Sequence, residues 1–130
     1  MSNVNLADFK TLYLSTAQEY IQKMQDGLVT LRTSPEDTAA IEVVHLSAHS
    51  LKSQSLVMGY TTTGELSHVI EVIFRKLLDE RGSLSEKLIS PLTEAIAGLD
   101  ESVLQIEATG KEKNLSDLKE NLQSEGGTTK

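Results

Sequence analysis

Cysteine and tryptophan are absent from the 130 residues, prolines number two, and two phenylalanines and three tyrosines are the remaining large aromatics. Without cysteine there can be no disulfide, no thiol nucleophile and no cysteine-ligated zinc or iron–sulfur site. Few prolines and aromatics suit a helical bundle better than a β-sandwich. No apolar run approaches the roughly 20 residues that a membrane span needs. The opening Met1–Lys10 has neither a basic region nor an apolar stretch, so no secretory signal is expected. Basic residues are also in deficit, 12 against 19 acidic ones, for a net charge of −7. Affinity for phosphate backbones comes from clustered Lys and Arg, so nucleic acid is excluded as the expected partner. These absences predict a cytoplasmic chain with no nucleic-acid partner and no membrane insertion.

What is present is helical periodicity. Leu6, Phe9, Tyr13, Ala17, Tyr20, Met24, Leu28 and Leu31 recur at steps of three or four and define one face of a long helix. Gly27 lies inside it and is expected to weaken it locally. Ser34-Pro35-Glu36-Asp37 reads as the next helix start, with Ser34 as the cap and Pro35 in the first turn. Ile41, Val44, Ala48, Leu51, Ser55 and Met58 then mark an inner face that ends near Gly59. Thr61 to Thr63 offer a third cap, followed by Leu66, Ile70, Ile73 and Leu77, widened by Val69, Phe74 and Leu78 and stopped by Gly82. A fourth helix opens at Ser83 or Ser85 and turns Leu88, Leu92, Ile96, Leu99, Val103 and Ile106 inward, with Pro91 bending or delaying its start. Leu115, Leu118 and Leu122 define a weaker fifth helix. The fold class is therefore all-α: an up-and-down antiparallel four-helix bundle with a short fifth helix over residues 1–123, and a flexible tail or linker over 124–130.

All three histidines lie on the two middle helices. His45, His49, Lys52 and Leu56 form a stripe beside the inner face of the second helix, rotated by about 100°. Gly64, His68, Glu71, Arg75 and Leu78 form a matching stripe on the third. Packed as antiparallel neighbours, the two stripes bring two imidazoles, an ammonium and a carboxylate together at a partly exposed surface. A neutral imidazole nitrogen is a nucleophile, and a carboxylate that accepts the other ring N–H fixes the tautomer and raises its basicity. A nearby lysine stabilises charge on an arriving phosphoryl group. Taken alone, a helical histidine is more simply a solvated residue of a non-catalytic interaction module. His45 and His49, an i, i+4 pair, also have the spacing to share a zinc ion with His68 and Glu71. Lys52 stands within one turn of His49 and opposes a cation there. No glycine loop for phosphates and no nucleophile elbow occurs.

Ala48-His49-Ser50-Leu51-Lys52, Met58-Gly59-Tyr60 and His68-x-x-Glu71 resemble the histidine-phosphotransfer (HPt) family, most closely the phosphoacceptor domains of CheA-type chemotaxis kinases. Several fixed spacings match at once, which makes the signal specific. The surrounding chain, from about Asn5 to Ala108, agrees in helix pattern without further motifs. The resemblance implies that His49 is the phosphoacceptor, Lys52 the cation beside it, Glu71 the carboxylate on its ring and His68 the second histidine of the network. It implies two partners, the ATP-binding domain of a histidine kinase and a response-regulator receiver domain, and no cofactor. The family usually carries glycine straight after the lysine; here Ser53 and Gln54 follow, and Gln54 is expected to crowd the approach. His45 matches no part of the motif and is expected at the surface. Without a kinase glycine box, the chain is expected to be a phosphorylation substrate, joined by its tail to a longer CheA-like kinase or ending as a free-standing phosphotransfer protein.

Overall fold

The computed structural model describes residues 6–127, all but the side chain of Leu6. The expected contribution of Leu6 to the inner face, and Thr128-Thr129-Lys130 of the expected tail, lie outside the described residues. Five α-helices follow one another: α1 (Leu6–Thr33), α2 (Thr38–Val57), α3 (Thr61–Glu80), α4 (Ile89–Thr109) and α5 (Ser116–Gly126). A single 3-10 turn, Glu86–Leu88, precedes α4, and the described residues include no strand. Helix α1 packs on α2, α2 on α3, α3 on α4 and α4 back on α1, closing a four-helix ring; α5 lies against α3 and α4.

The core is the set of inner faces read from the periodicity. Tyr13, Ala17, Met24, Leu28 and Leu31 of α1 meet Ile41, Val44, Ala48 and Leu51 of α2. Leu66, Val69, Ile70, Ile73 and Phe74 of α3 and Leu92, Ile96, Leu99, Val103 and Ile106 of α4 complete it. Truncating any fully buried leucine among them to alanine should cost about 2–5 kcal/mol, transfer and cavity terms combined. One member of the expected α1 stripe departs from it. Phe9 is half exposed, because it lies near the start of α1, where its neighbours across the groove, Ser53 and Val57, are themselves exposed. Tyr13, by contrast, sends its hydroxyl to Ser55 Oγ at 2.8 Å. Burial pushes its phenol up to about 12 despite that bond, so it holds the α1–α2 junction as a neutral group.

Helix α1 runs through Gly27 unbroken. A Cβ there would stand 2.6 Å from Val44 Cγ2, so the glycine lets α2 approach α1 closely. Asp37, not Ser34, caps α2: its carboxylate accepts from Ala40 N at 3.0 Å. Ser34 and Pro35 form the preceding turn, and Pro35 O accepts from Leu84 N, which ties the α1–α2 turn to the α3–α4 connection. No side chain of Thr61–Thr63 caps α3 by itself. Glu112, beyond α4, accepts from Thr62 N at 3.2 Å and Thr63 N at 2.8 Å. Arg81 rather than Gly82 takes the left-handed position after α3, at φ 51°. Pro91 sits in the first turn of α4, behind the 3-10 turn, where its missing N–H leaves nothing unpaired.

The expected bundle boundary at 123 falls inside α5, which continues through Ser124 and Glu125 to Gly126 and closes on Gly127 at φ 74°. Gly126 leans on Ile73, whose Cδ1 would lie 2.8 Å from an added Cβ, so the last turn of α5 has a seat on α3 that its polar composition did not announce.

Candidate functional site

Burial of Ala48 and Leu51 against the core leaves their neighbours His49 and Lys52 on the flank of α2 that faces α3. The two helices meet closely at Gly64, where a Cβ would stand 2.6 Å from Leu56 Cδ2. Across this junction the flanking stripe of α3 presents His68, Glu71 and Arg75.

Glu71 is the centre of the site. Its side chain is 2% exposed, whereas those of His49 and His68 are about half exposed, at 49% and 51%. Oε2 meets His49 Nδ1 at 2.6 Å and accepts from Arg75 Nη2 at 3.1 Å. Oε1 meets Lys52 Nζ at 2.9 Å and His68 Nδ1 at 3.2 Å. Burial alone would raise the Glu71 carboxyl above its ordinary range. Donation from Lys52, His49 and His68 outweighs that penalty and holds it at about 2, so the group is a carboxylate at any ordinary pH.

An ionised carboxylate has no proton to give, so each bonded imidazole nitrogen must be the donor. His49 is therefore held with its proton on Nδ1, which leaves the Nε2 lone pair free on a side chain that is about half exposed. That is the tautomer a nucleophilic imidazole requires, fixed by a buried anion that also stabilises positive charge developing on the ring. Lys52, only 20% exposed, stands on the same carboxylate and supplies fixed positive charge beside His49.

The four residues singled out from spacing, His49, Lys52, His68 and Glu71, thus converge in one hydrogen-bonded cluster. His45 does not join it, and it is not the surface residue expected: its ring is part-buried, with Nε2 enclosed and without a hydrogen-bond partner among the described residues. Burial, and after it the charge of Arg75, lowers the pKa of His45 and favours its neutral ring. The zinc reading through His45, His49, His68 and Glu71 is not supported. Among the described residues no three His, Asp or Glu side chains are placed to hold a metal, and both Nδ1 atoms of the pair His49 and His68 already point at Glu71. Gln54 does not crowd the approach either. It turns towards α1, where its Oε1 accepts from Thr16 Oγ1 at 2.8 Å and its Nε2 donates to Tyr20 Oη at 3.2 Å. Ser53 alone occupies the exposed position one turn beyond His49.

Arg75 is the further member of the cluster that spacing placed in the right stripe but gave no role. Its signal was available: it lies four residues after Glu71, within ion-pair reach on one helix face.

The chain matches the Hpt domain family over residues 8–109. Among curated relatives, the chemotaxis protein CheA of Listeria monocytogenes is 25% identical over 122 residues, covering 90% of this chain and 20% of the relative. CheA of Bacillus subtilis is 23% identical over 103 residues, covering 79% and 15%. The chain thus spans a fifth or less of the length of these relatives. Among solved structures, the solution structure of the histidine phosphotransfer domain of CheA superposes with a TM-score of 0.81 at 21% identity, over 92% of each chain. The phosphorylated P1 domain of CheA3 in complex with CheY6 from R. sphaeroides gives 0.83 at 17% identity, over 92% of this chain and 96% of that one. At these identities the structural likeness is one of fold. The family match covers most of the chain and includes all four clustered residues, and this chain belongs to the Hpt domain family.

Proposed function

We propose that the chain is a phosphocarrier in two-component signalling: His49 takes a phosphoryl group from the ATP-binding domain of a histidine kinase and passes it to a receiver-domain aspartate. The observation that carries this reading is the 2.6 Å contact of His49 Nδ1 with the buried, ionised Glu71, which leaves Nε2 of a half-exposed side chain free. In the accepting step the Nε2 lone pair attacks the terminal phosphorus of ATP, the bond to the bridging oxygen breaks, and ADP leaves. The ring then carries the phosphoryl group on Nε2, the original proton on Nδ1 and a positive charge that faces the Glu71 carboxylate. In the donating step the receiver carboxylate attacks the phosphorus, the P–N bond breaks, and its electron pair returns to Nε2.

Lys52 has the role of a fixed cation beside the incoming phosphoryl group, and His68 that of a second donor that orients Glu71. The chain supplies the acceptor and its surroundings, while nucleotide binding belongs to the kinase domain. Membership of the Hpt family and the likeness to CheA support this reading, as does a neighbour of the same fold crystallised phosphorylated and in complex with CheY6. The receiver class is thereby favoured as a partner; a CheA-type kinase domain as the donor rests on the sequence relatives. A cytoplasmic setting is part of this proposed reading. No helix among the described residues is long and apolar enough to cross a membrane.

The test is incubation with a CheA-type kinase domain and ATP labelled on its terminal phosphate. The chain should acquire acid-labile, base-stable label that His49→Gln removes. Undiminished labelling of the variant would overturn the assignment.

A further inference from the structure

The Glu71 carboxylate is saturated. An ionised carboxylate offers about four lone-pair positions, and here each oxygen takes one imidazole N–H and one permanent cation. His68 and Lys52 share Oε1, while His49 and Arg75 share Oε2. The two cations are not equivalent. Lys52 is mostly enclosed and stands on the oxygen that serves His68, whereas Arg75, 57% exposed, stands on the oxygen that serves His49.

Resting on the functional reading above, we propose that Arg75 is a positioning residue which acts through Glu71 to set the balance of His49 between accepting and donating the phosphoryl group. The argument is electrostatic and follows the charge on the ring. A neutral imidazole becomes a phosphoimidazolium on accepting the phosphoryl group and returns to neutral on giving it up. Negative charge on Glu71 Oε2 favours the charged, phosphorylated form. A guanidinium on that same oxygen draws charge away from it and disfavours that form. Arg75 therefore raises the transfer potential of phosphorylated His49: it makes the group somewhat harder to load and easier to pass on. Because Arg75 shares Oε2 with His49, its effect falls more directly on that ring than it would from Oε1.

Wild type, Arg75→Gln and Arg75→Lys are compared in two measurements: the equilibrium of the phosphorylated protein and ADP with the free protein and ATP, over a CheA-type kinase domain, and single-turnover transfer to a CheY-type receiver across receiver concentrations. Glutamine keeps an N–H donor and removes the charge, whereas lysine keeps the charge. For Arg75→Gln the ratio of phosphorylated to free protein should rise about two- to fivefold. Its maximal transfer rate should fall by a similar factor, with the half-saturating receiver concentration unchanged and Arg75→Lys close to wild type. An unchanged equilibrium, a shift the other way, or an effect confined to half-saturation would overturn the role of Arg75 while leaving His49 as the acceptor. A wild-type chain that takes no label at all overturns the functional reading, and this inference with it.

Discussion

Two glutamates in this bundle each gather several donors onto one carboxylate, and they do different work. Glu71, on α3, accepts from two imidazoles, an ammonium and a guanidinium. Glu112, in the α4–α5 connection, accepts from the backbone N–H groups of Thr62 and Thr63 and from the Thr63 hydroxyl, the last at 2.7 Å. That hydroxyl also meets Ser102 Oγ, which in turn accepts from Lys113 N. The second cluster satisfies the orphan donors at the start of α3 and pins the α4–α5 connection there. Its donors are neutral and keep their protons whatever happens at the surface. Two of the donors around Glu71 are imidazole rings on half-exposed side chains, each with a second nitrogen that Glu71 does not engage. One carboxylate thus closes a helix end and the other orders two imidazoles and two cations at the α2–α3 surface, and the difference lies in the donors.

The comparison is sharpest where one site is broken and the other kept. Glu71→Gln preserves volume but leaves Lys52 and Arg75 without a counter-charge and frees the His49 ring to change tautomer. The initial rate of labelling by a CheA-type kinase domain should fall between about tenfold and a hundredfold, as for other carboxylates that orient a reacting imidazole. A rate within twofold of wild type would remove Glu71 from the mechanism.

Acid should reveal the same group. The folded-state carboxyl of Glu71 is held at about 2, below its ordinary 4.5. The stability this provides is fully present above about 4.5 and is lost as pH falls through about 2. Denaturant unfolding followed from pH 6 to pH 2 should therefore show a decline in the wild type that is reduced in Glu71→Gln. Parallel curves would show that the carboxylate is not the responsible group.

The converse break is Glu112→Ala, which uncaps α3 and should cost about 1–2 kcal/mol of unfolding free energy while labelling stays within about twofold. If labelling collapses in step with stability, the two clusters are not separable. The smallest effect is expected from Gln54→Ala. Loss of its bonds to Thr16 and Tyr20 should cost about 1 kcal/mol or less and leave the labelling rate unchanged, because Gln54 faces α1 and not the approach to His49.

The parts of this molecule legible in sequence were those governed by local period. Steps of three and four placed the inner faces of α2, α3 and α4, and the same arithmetic aligned His49 and Lys52 with His68 and Glu71 once two consecutive helices were taken as antiparallel neighbours. Longer-range choices were not legible. Asp37 and Ser34 are equally good caps by type; the cap falls to Asp37, while the turn before it is tied through Pro35 O to Leu84 N, a contact from a distant part of the chain. Glu112 reaches Thr63 across 49 residues, a separation that no window along the chain detects. Gln54 carries no mark of which way it will turn; the hydroxyls of Thr16 and Tyr20 on α1 decide it. Arg75 shares its stripe with Glu71, but spacing alone does not tell an ion pair on a carboxylate enclosed by burial from one on an open helix face. His45 shows the opposite failure, a polar residue whose ring nitrogen ends up enclosed.

Gly27 carries a consequence for recognition. With no side chain at Gly27, α1 and α2 approach so closely that Val44 Cγ2 stands 2.6 Å from where a Cβ would be, and Gln54 laces the same pair together towards the other end of α2. The surface that displays His49 is thus ordered before any partner arrives, and little conformational entropy is left for docking to remove. A rigid platform of this kind can be visited by one protein and then another in brief encounters, each governed by fit at the rim and by how quickly the visitor leaves.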